Sequence, residues 1–405
     1  MIYHAKEYNI RVMNLSLGTD STETWQTDPL CVAVRSAAAA GITVVVAAGN
    51  FGVNAAGVVS YGTVSAPGHD PSVITVGSAN AKNTLARNDE KVNNFSSRGP
   101  TRGSYIDSTG VRRVDNLLKP DLLAPGNKIV GAAATAANAL SWNLLGTSHK
   151  GGLVDPLGIT PVLTETQMLL SGTSIAAPVV AGAAALLLQA NPGLTPPLIK
   201  AILQYTAQPL SGYDLLQQGA GLLNVDGAVA LAKVLRTDIN TAVNAGTISS
   251  GASMLAAGKT MPLAESTING ASFPWSRIVF AGGSSLVSGH ALFTKYQPIW
   301  DPRITWASGI VNKRQPIYWS GTGIPANTFI QSFVDSAAPN QALLSAGVVS
   351  ANLLAGSSSA SGQSGAFIPA STLSSWLVSG SGTVLGSGIV LSEGIVLSES
   401  TLGEP

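Results

Sequence analysis

The sequence predicts an α/β fold in which a parallel β-sheet carries helices on both faces. Apolar strand-like runs alternate with helical patterns over residues 1–235, and this alternation is typical of parallel strands joined by helical crossovers. The run at residues 43–47 is β-branched and has no polar residue at every second position, as expected for a strand buried on both faces. Because the composition changes near residue 236, we expect an α/β domain over residues 1–235 and an extension after it.

Three strands and one helix are predicted in the first part of this domain. The first strand covers residues 12–18, and a helix follows over residues 28–40. The second strand, TVVVA at residues 43–47, is a continuous β-branched run, and the third strand covers residues 73–77. Cys31 is the only cysteine of the chain and falls in the helix, where we expect it to pack against the core. A single cysteine excludes a disulfide within the chain.

Three helices are predicted in the second part of the domain. A buried central helix covers residues 174–189 and is stopped by Asn-Pro-Gly at residues 191–193. Thr195 caps the next helix, which has proline at its first two positions and continues to about residue 204. The last helix ends near residue 234.

The start of the central helix has features expected of a nucleophile. The sequence SGTSIAAP at residues 171–178 surrounds Ser174 with small residues that leave its hydroxyl unobstructed, and Gly172 permits a tight turn. The first N–H groups of a helix and its dipole favour negative charge. This setting suits a serine that forms an oxyanion intermediate. The alternative is an ordinary helix cap, because Ser and Thr are common at that position.

Asn50 follows the second strand directly, in the sequence VVVAAGN at residues 44–50. The carboxyl ends of strands are where α/β sheets place binding groups, and the side-chain amide of an asparagine can donate to an oxyanion. The alternative is a turn residue, because Asn tolerates a left-handed backbone.

The chain resembles the subtilases, the subtilisin-like serine peptidases, through at least six segments in the same order. These are residues 12–18, 41–50, 71–77, 94–100, 119–126 and 171–178. The resemblance implies a subtilisin-like sheet and a serine-type endopeptidase that cleaves polypeptides through an acyl-enzyme. In this family Ser174 would be the nucleophile and Asn50 the oxyanion-hole side chain.

The resemblance also implies a substrate-binding groove between two strand ends. An extended peptide would pair with their backbones as an added strand, and the same residues would line the first specificity pocket. The residues concerned are Ser16, Leu17 and Gly18 on one side and Ala47, Ala48 and Gly49 on the other.

The family's base and its orienting carboxylate have no counterpart in the sequence. Subtilases carry an Asp-Ser/Thr-Gly strand end and a His-Gly-Thr-His helix start upstream of the equivalent of Val12, and neither segment is present. A serine nucleophile needs both groups. We therefore expect a catalytic domain that lacks its N-terminal Asp/His part and is inactive on its own.

No residue of the chain is expected to replace these groups. Of the four histidines, His4 lies near the start, His69 in a loop expected at the surface, His149 in a Gly/Ser-rich insertion and His290 beyond the catalytic region. The sequence DSTG at residues 107–110 imitates the catalytic aspartate motif, but its place in the chain predicts a solvated turn or hairpin.

Two classes of function remain open from the sequence. In the first, the chain is most of a subtilase whose Asp and His come from an upstream segment or from a separate polypeptide. In the second, it is a noncatalytic peptide-binding or surface protein that uses the old groove. The presence of both Ser174 and Asn50 favours the first, because a groove that only binds needs neither.

Composition excludes several partners. A net charge of +1 predicts neither nucleic-acid binding nor attraction to a membrane surface. The apolar run at residues 179–190 is too short to span a bilayer. No signal peptide is expected after Met1, so a secreted or cell-surface location rests on the resemblance.

No cofactor or metal is expected to be required. The resemblance allows a structural calcium ion, but no loop with calcium-ligand spacing supports one.

The extension is predicted in two parts. Residues 236–345 are rich in Ala, Ser, Gly and Thr with scattered aromatics, and residues 346–405 form a low-complexity tail. A six-residue period over residues 381–398 could stack as short β-strands. We expect either a spacer or surface-attachment tail or simple disorder, and no chemistry of its own.

Overall fold

The computed structural model describes residues 1–132 and 167–296, except residues 55, 56, 58, 111, 116, 250, 284, 289 and 290, and five short strands elsewhere in the chain. His149, His290 and most of the predicted low-complexity tail lie outside the described residues.

The strands of the first 171 residues, in chain order, are β1 (Val12–Leu15), β2 (Gly18–Thr19), β3 (Thr43–Ala47), β4 (Ile74–Asn80), β5 (Lys91–Val92), β6 (Ser104–Ile106), β7 (Arg112–Val114), β8 (Leu122–Pro125), β9 (Ile129–Ala132), β10 (Leu153–Val154) and β11 (Gln167–Ser171). Later strands are β12 (Glu265–Ile268), β13 (Ala271–Pro274), β14 (Ile278–Ala281), β15 (Ser285–Ser288), β16 (Asn312–Tyr318), β17 (Gln341–Leu344), β18 (Ile389–Val390) and β19 (Val396–Leu397).

The helices of the described residues are α1 (Pro29–Ala39), α2 (Thr173–Ala190), α3 (Pro196–Thr206), α4 (Leu215–Gln218), α5 (Val225–Ala232), α6 (Ile239–Asn244) and α7 (Ala291–Thr294). A single 3₁₀ turn, Ile2–His4, precedes β1. Asp28 caps α1 by accepting hydrogen bonds from the backbone N–H groups of Leu30 and Cys31, and Pro29 occupies the first helical position, where its missing N–H costs nothing.

A parallel sheet with the order β1-β3-β4-β8 forms the centre of the domain. The two-residue strand β5 adds an antiparallel pairing at the end of β4. All five residues of β3 and all seven of β4 are buried, which explains why the sequence of β3 lacks polar alternation. The predicted parallel sheet is confirmed.

Helices cover both faces of this sheet, as predicted. Along β3, Val44 and Val46 pack with Val34 of α1 on one face, while Val45 and Ala47 pack with α2, α3 and α5 on the other. Successive side chains of a strand point to opposite faces, so the single strand β3 contributes side chains to two hydrophobic cores.

Helix α2 is the central helix of the larger core. It has 18 residues and is the one helix of the described part that is long and apolar enough, by length and composition, to cross a membrane. It is longer than the apolar run at residues 179–190 from which the sequence predicted that no segment spans a bilayer. Its buried residues pack on β3, β4 and β8, as expected of the core helix of a folded α/β domain.

The described residues after residue 235 add to the same core. Met254, Trp275, Val279 and Phe293 belong to the cluster that contains Val45 of β3. Tyr205 of α3 stacks edge-on against Phe293, with ring centroids 4.8 Å apart. The change of composition near residue 236 therefore does not mark the end of the packed core.

Beneath β4 lies a buried cluster of three charges. The ammonium groups of Lys119 and Lys200 lie 2.7 and 2.9 Å from the two carboxylate oxygens of Asp121. Asp121 also accepts a 2.8 Å hydrogen bond from the backbone N–H of Thr75. Burial opposes ionisation of Asp121, but the two lysines outweigh it and hold the pKa of this carboxyl below its usual value.

Asp121→Asn is expected to destabilise the fold by about 3–5 kcal/mol, because it leaves two buried ammonium groups without their carboxylate. Since the pKa of Asp121 is lower in the folded state than in the unfolded one, its contribution is present at neutral pH and lost on acidification. Urea unfolding at neutral pH measures the change. The control is Asp238→Asn, which breaks the exposed pair with Arg236 and is expected to cost about 1 kcal/mol or less. Equal costs for the two variants would contradict the prediction.

Candidate active site

Three chain segments meet at the carboxyl edge of the parallel sheet. Residues 16–18 follow β1, Asn50 lies three residues after the end of β3, and Ser174 is the second residue of α2. Parallel strands end at the same edge of a sheet, so the topology brings together residues that are 158 positions apart in the chain. Ser174 is almost completely buried, with 3% of its surface exposed.

The turn before α2 depends on Gly172. Its φ of 150° and ψ of 161° lie in a region that only glycine adopts without strain. The N–H of Gly172 donates a 2.8 Å hydrogen bond to the carbonyl of Gly126, and a Cβ on Gly126 would lie only 2.6 Å from the carbonyl oxygen of Gly172. The two glycines thus allow the loop after β8 to fix the start of the helix.

Thr173 fixes the orientation of the Asn50 side chain. The amide oxygen of Asn50 accepts hydrogen bonds from the backbone N–H of Thr173 at 2.9 Å and from its hydroxyl at 3.1 Å. The same hydroxyl accepts a bond from the backbone N–H of Gly49 at 3.0 Å. Because the oxygen is held by α2, the NH₂ group is the part of the Asn50 amide that can donate a hydrogen bond to an oxyanion. This role of Thr173 could not be predicted from the sequence, because it depends on contact with a residue 123 positions away.

Ser16 satisfies a carbonyl that Pro178 leaves without its helical partner. In α2 the N–H of residue 178 would bond to the carbonyl of Ser174, but proline has no N–H. The hydroxyl of Ser16 donates a 2.6 Å hydrogen bond to that carbonyl instead. Ser16, predicted as part of the substrate groove, therefore contacts the backbone of the candidate nucleophile directly.

Ser16→Ala is expected to cost about 1–3 kcal/mol of folding free energy, because it leaves a buried carbonyl without a donor. In a Pro178→Ala background the new N–H of residue 178 can bond to Ser174, so the same substitution should cost much less. The double-mutant cycle, measured by urea unfolding, should give a coupling of about 1–2 kcal/mol. An identical cost in both backgrounds would show that Ser16 acts in another way.

The two glycines predicted to line the specificity pocket pack tightly against Ser65. A Cβ on Gly18 would lie 2.8 Å from the Cβ of Ser65, and one on Gly49 would lie 2.7 Å from its hydroxyl oxygen. Gly49 also has a φ of +106°, a backbone angle that residues other than glycine rarely adopt. Both glycines are thus required by close packing, and their role in substrate binding stays a prediction, as it does for Leu17, Ala47 and Ala48.

Neither of the histidines that the structure describes, His4 and His69, supplies the base for Ser174. The hydroxyl of Ser174 lies 3.5 Å from the carbonyl oxygen of Ser16, and within the described ranges no histidine nitrogen is hydrogen bonded to it. His4 pairs with Glu7 on the exposed first turn. The prediction that His69 lies at the surface is wrong: only 1% of it is exposed, because backbone hydrogen bonds between Ala66 and Thr19 hold its loop against the domain.

Asp107 occupies a hairpin, as predicted. Strands β6 and β7 pair antiparallel on either side of it, and its carboxylate accepts hydrogen bonds from the backbone N–H and hydroxyl of Thr109 in the turn. The resemblance of residues 107–110 to a catalytic aspartate motif is therefore confined to the sequence of this turn.

The sequence matches a profile described as the subtilase family over residues 1–228. The serine protease AprX of Bacillus subtilis (strain 168) is 36% identical over 222 residues, which are 54% of this chain and 43% of AprX. Subtilisin amylosacchariticus of Bacillus subtilis subsp. amylosacchariticus is 31% identical over 220 residues, which are 54% of this chain and 41% of that protein. This chain therefore spans less than half the length of these two relatives.

Among solved structures, fervidolysin from Fervidobacterium pennivorans, a keratinolytic enzyme related to subtilisin, is similar with 25% identity and a TM-score of 0.38, over 56% of this chain and 28% of fervidolysin. Together, the sequence profile over more than half of the chain and its curated relatives establish that this chain belongs to the subtilase family of serine proteases.

Proposed function

We propose that this chain carries the nucleophile and the oxyanion hole of a serine-type endopeptidase that hydrolyses peptide bonds through an acyl-enzyme on Ser174. The observation that supports it most strongly is the tie between Asn50 and Thr173, which lies next to Ser174. A noncatalytic groove has no need for a donor amide held in this orientation beside a buried serine hydroxyl.

In this mechanism the hydroxyl oxygen of Ser174 attacks the scissile carbonyl carbon. The NH₂ group of Asn50 and the backbone N–H of Ser174, which lies in the first turn of α2, donate hydrogen bonds to the oxyanion. A histidine accepts the serine proton and returns it to the leaving amine, and an aspartate orients that histidine. Water then hydrolyses the ester and regenerates Ser174.

We further propose that the histidine and aspartate come from a complementary segment, either upstream in the same polypeptide or on a separate one. The exposed surface of α2 supports this proposal. Within the described residues one side of α2 is exposed although it is almost entirely apolar, including Val179 at 37% and Leu186 at 47%. The residues of this face, at helical spacing, are Pro178, Val179, Gly182, Ala185, Leu186 and Gln189.

The edge of the parallel sheet offers a second docking surface for the same segment. In the part of the chain that the structure describes, β1 pairs with β3 on one side only. Its apolar residues Val12, Met13 and Leu15 are only partly buried, whereas parallel strands are usually covered on both faces and continued by neighbours. Both surfaces adjoin the candidate site, because α2 begins at Thr173, next to Ser174, and Ser16 follows β1 directly.

The proposal is tested by supplying such a segment, taken from the native polypeptide or provided in trans, with its aspartate and histidine. Hydrolysis of an unfolded polypeptide is expected only when the segment is present, and a segment with the histidine replaced by alanine should bind without restoring hydrolysis. If the complete segment binds and peptides still bind without being cleaved, the chain is a noncatalytic peptide-binding protein.

A further inference from the structure

We propose that Asp28, Cys31 and His69 form a binding site for a divalent transition-metal ion of the zinc class, separate from the candidate active site. One carboxylate oxygen, the sulfur and one ring nitrogen of these residues all lie within 4.8 Å of one another. The site joins the start of α1 to the loop between β3 and β4.

The three side chains are all buried, with exposures of 2%, 0% and 1%. A buried polar group without a partner is costly, so such groups are normally hydrogen bonded. The Nε2 atom of His69 is buried and has no hydrogen-bond partner. This atom is therefore an unexplained feature of the fold unless another group binds the imidazole.

The donor set selects the kind of metal. Thiolate, imidazole and a single carboxylate are ligands that zinc accepts, whereas calcium and magnesium require oxygen ligands. Zinc bond lengths place the ligand atoms of a tetrahedral site roughly 3.3–3.8 Å apart. The present separations of up to 4.8 Å exceed that range, so binding would draw the three side chains closer together around the ion.

The protonation state of His69 fits metal binding, whereas Cys31 must lose its thiol proton to become a ligand. Burial lowers the pKa of His69 to about 4, so the ring is neutral at neutral pH and a nitrogen lone pair can coordinate. Burial, the carboxylates of Asp70 and Asp28, and a hydrogen bond to Asp28 raise the pKa of the Cys31 thiol. This raised pKa opposes thiolate formation, so the ion must displace one proton from Cys31 to solvent, and its two positive charges would then balance the thiolate and the carboxylate of Asp28.

The test uses Co²⁺ as a spectroscopic substitute for Zn²⁺ in the full protein. One equivalent of Co²⁺ is expected to produce a thiolate-to-cobalt charge-transfer band and intense visible bands of a tetrahedral ion, and Zn²⁺ should bleach both. Because Cys31 is the only cysteine among the 405 residues, the charge-transfer band reports on this site. A folded protein that shows no such band at saturating Co²⁺ would overturn the proposal without any variant.

Variants assign the ligands. Cys31→Ala and His69→Ala should lose the band and the rise in thermal midpoint that Zn²⁺ gives the unaltered protein, while Asp28→Asn, which keeps a side chain able to cap α1, should weaken both. The control is His4→Asn at the exposed first turn, which should change neither. A Zn²⁺-induced rise that survives in Cys31→Ala and His69→Ala, or that disappears in His4→Asn, would place the metal elsewhere and contradict the proposal.

Discussion

Replacing Ser174 by alanine in the enzyme assembled with its Asp/His segment is expected to lower kcat by roughly a million-fold, the loss known for the equivalent change in subtilisin. Alanine removes the attacking oxygen, so no acyl-enzyme can form. The oxyanion hole and the groove remain, and they sustain a residual acceleration over the uncatalysed reaction of roughly a thousandfold. KM should change little, because the hydroxyl is small and binds no part of the ground-state peptide.

The measurement is steady-state hydrolysis of a chromogenic peptide, with circular dichroism to show that the variant is folded. Ser36→Ala serves as the matched control, because Ser36 is an exposed helical serine whose hydroxyl bonds only to the carbonyl of Val32 in the same helix. It should retain full activity. Activity that survives Ser174→Ala would remove Ser174 from the mechanism.

Asn50→Leu is expected to lower kcat by roughly 10²–10³-fold with little change in KM, as for the corresponding donor of subtilisin. Leucine has a similar volume but no N–H group, so the oxyanion loses one of its two hydrogen bonds. The effect belongs to the transition state, because the negative charge exists only there.

Thr173→Val tests how far the orientation of the Asn50 amide, as distinct from its hydrogen-bond donation to the oxyanion, contributes to kcat. Valine removes the hydroxyl that bonds to Asn50 at 3.1 Å but keeps the backbone N–H that bonds to the same oxygen at 2.9 Å. Asn50 therefore stays partly held, and the loss in kcat should be smaller than for Asn50→Leu. If Asn50→Leu instead raised KM and left kcat unchanged, Asn50 would be a binding residue rather than an oxyanion donor.

The long apolar elements could be predicted closely from the sequence. The predicted strand at residues 43–47 matches β3 residue for residue, and the helices predicted over residues 28–40 and 174–189 match α1 and α2 within one residue at each end. These segments combine strong apolar patterns with clear caps and stops. Short strands such as β5 could not be predicted, because two residues paired by tertiary contacts leave no periodic signal.

The candidate site could be predicted in its main residues but not in its supporting contacts. The local chemistry of a helix start and a strand end left a structural alternative open for both Ser174 and Asn50, and their catalytic roles rest on the resemblance to the subtilases; the structure brings Asn50 into contact with Thr173, the neighbour of Ser174. The link between Ser16 and Ser174 depends on contact between residues 158 positions apart, although Pro178, four residues after Ser174, was a local sign that one carbonyl needed another donor. The wrong prediction for His69 has the same cause: its loop position, where the subtilase resemblance allows many residues, suggested exposure, and only the tertiary packing buries it.

Whether Ser174 is an activated nucleophile is best measured by labelling the native protein, isolated from its source, with a fluorophosphonate and analysing it by intact mass and peptide sequencing. Such reagents modify a serine only when a base activates it. We expect one label on Ser174 and, in the same preparation, a segment that carries the aspartate and histidine. A folded native protein without such a segment, or with Ser174 unlabelled, would rule out Ser174 as an activated nucleophile and favour a noncatalytic peptide-binding role.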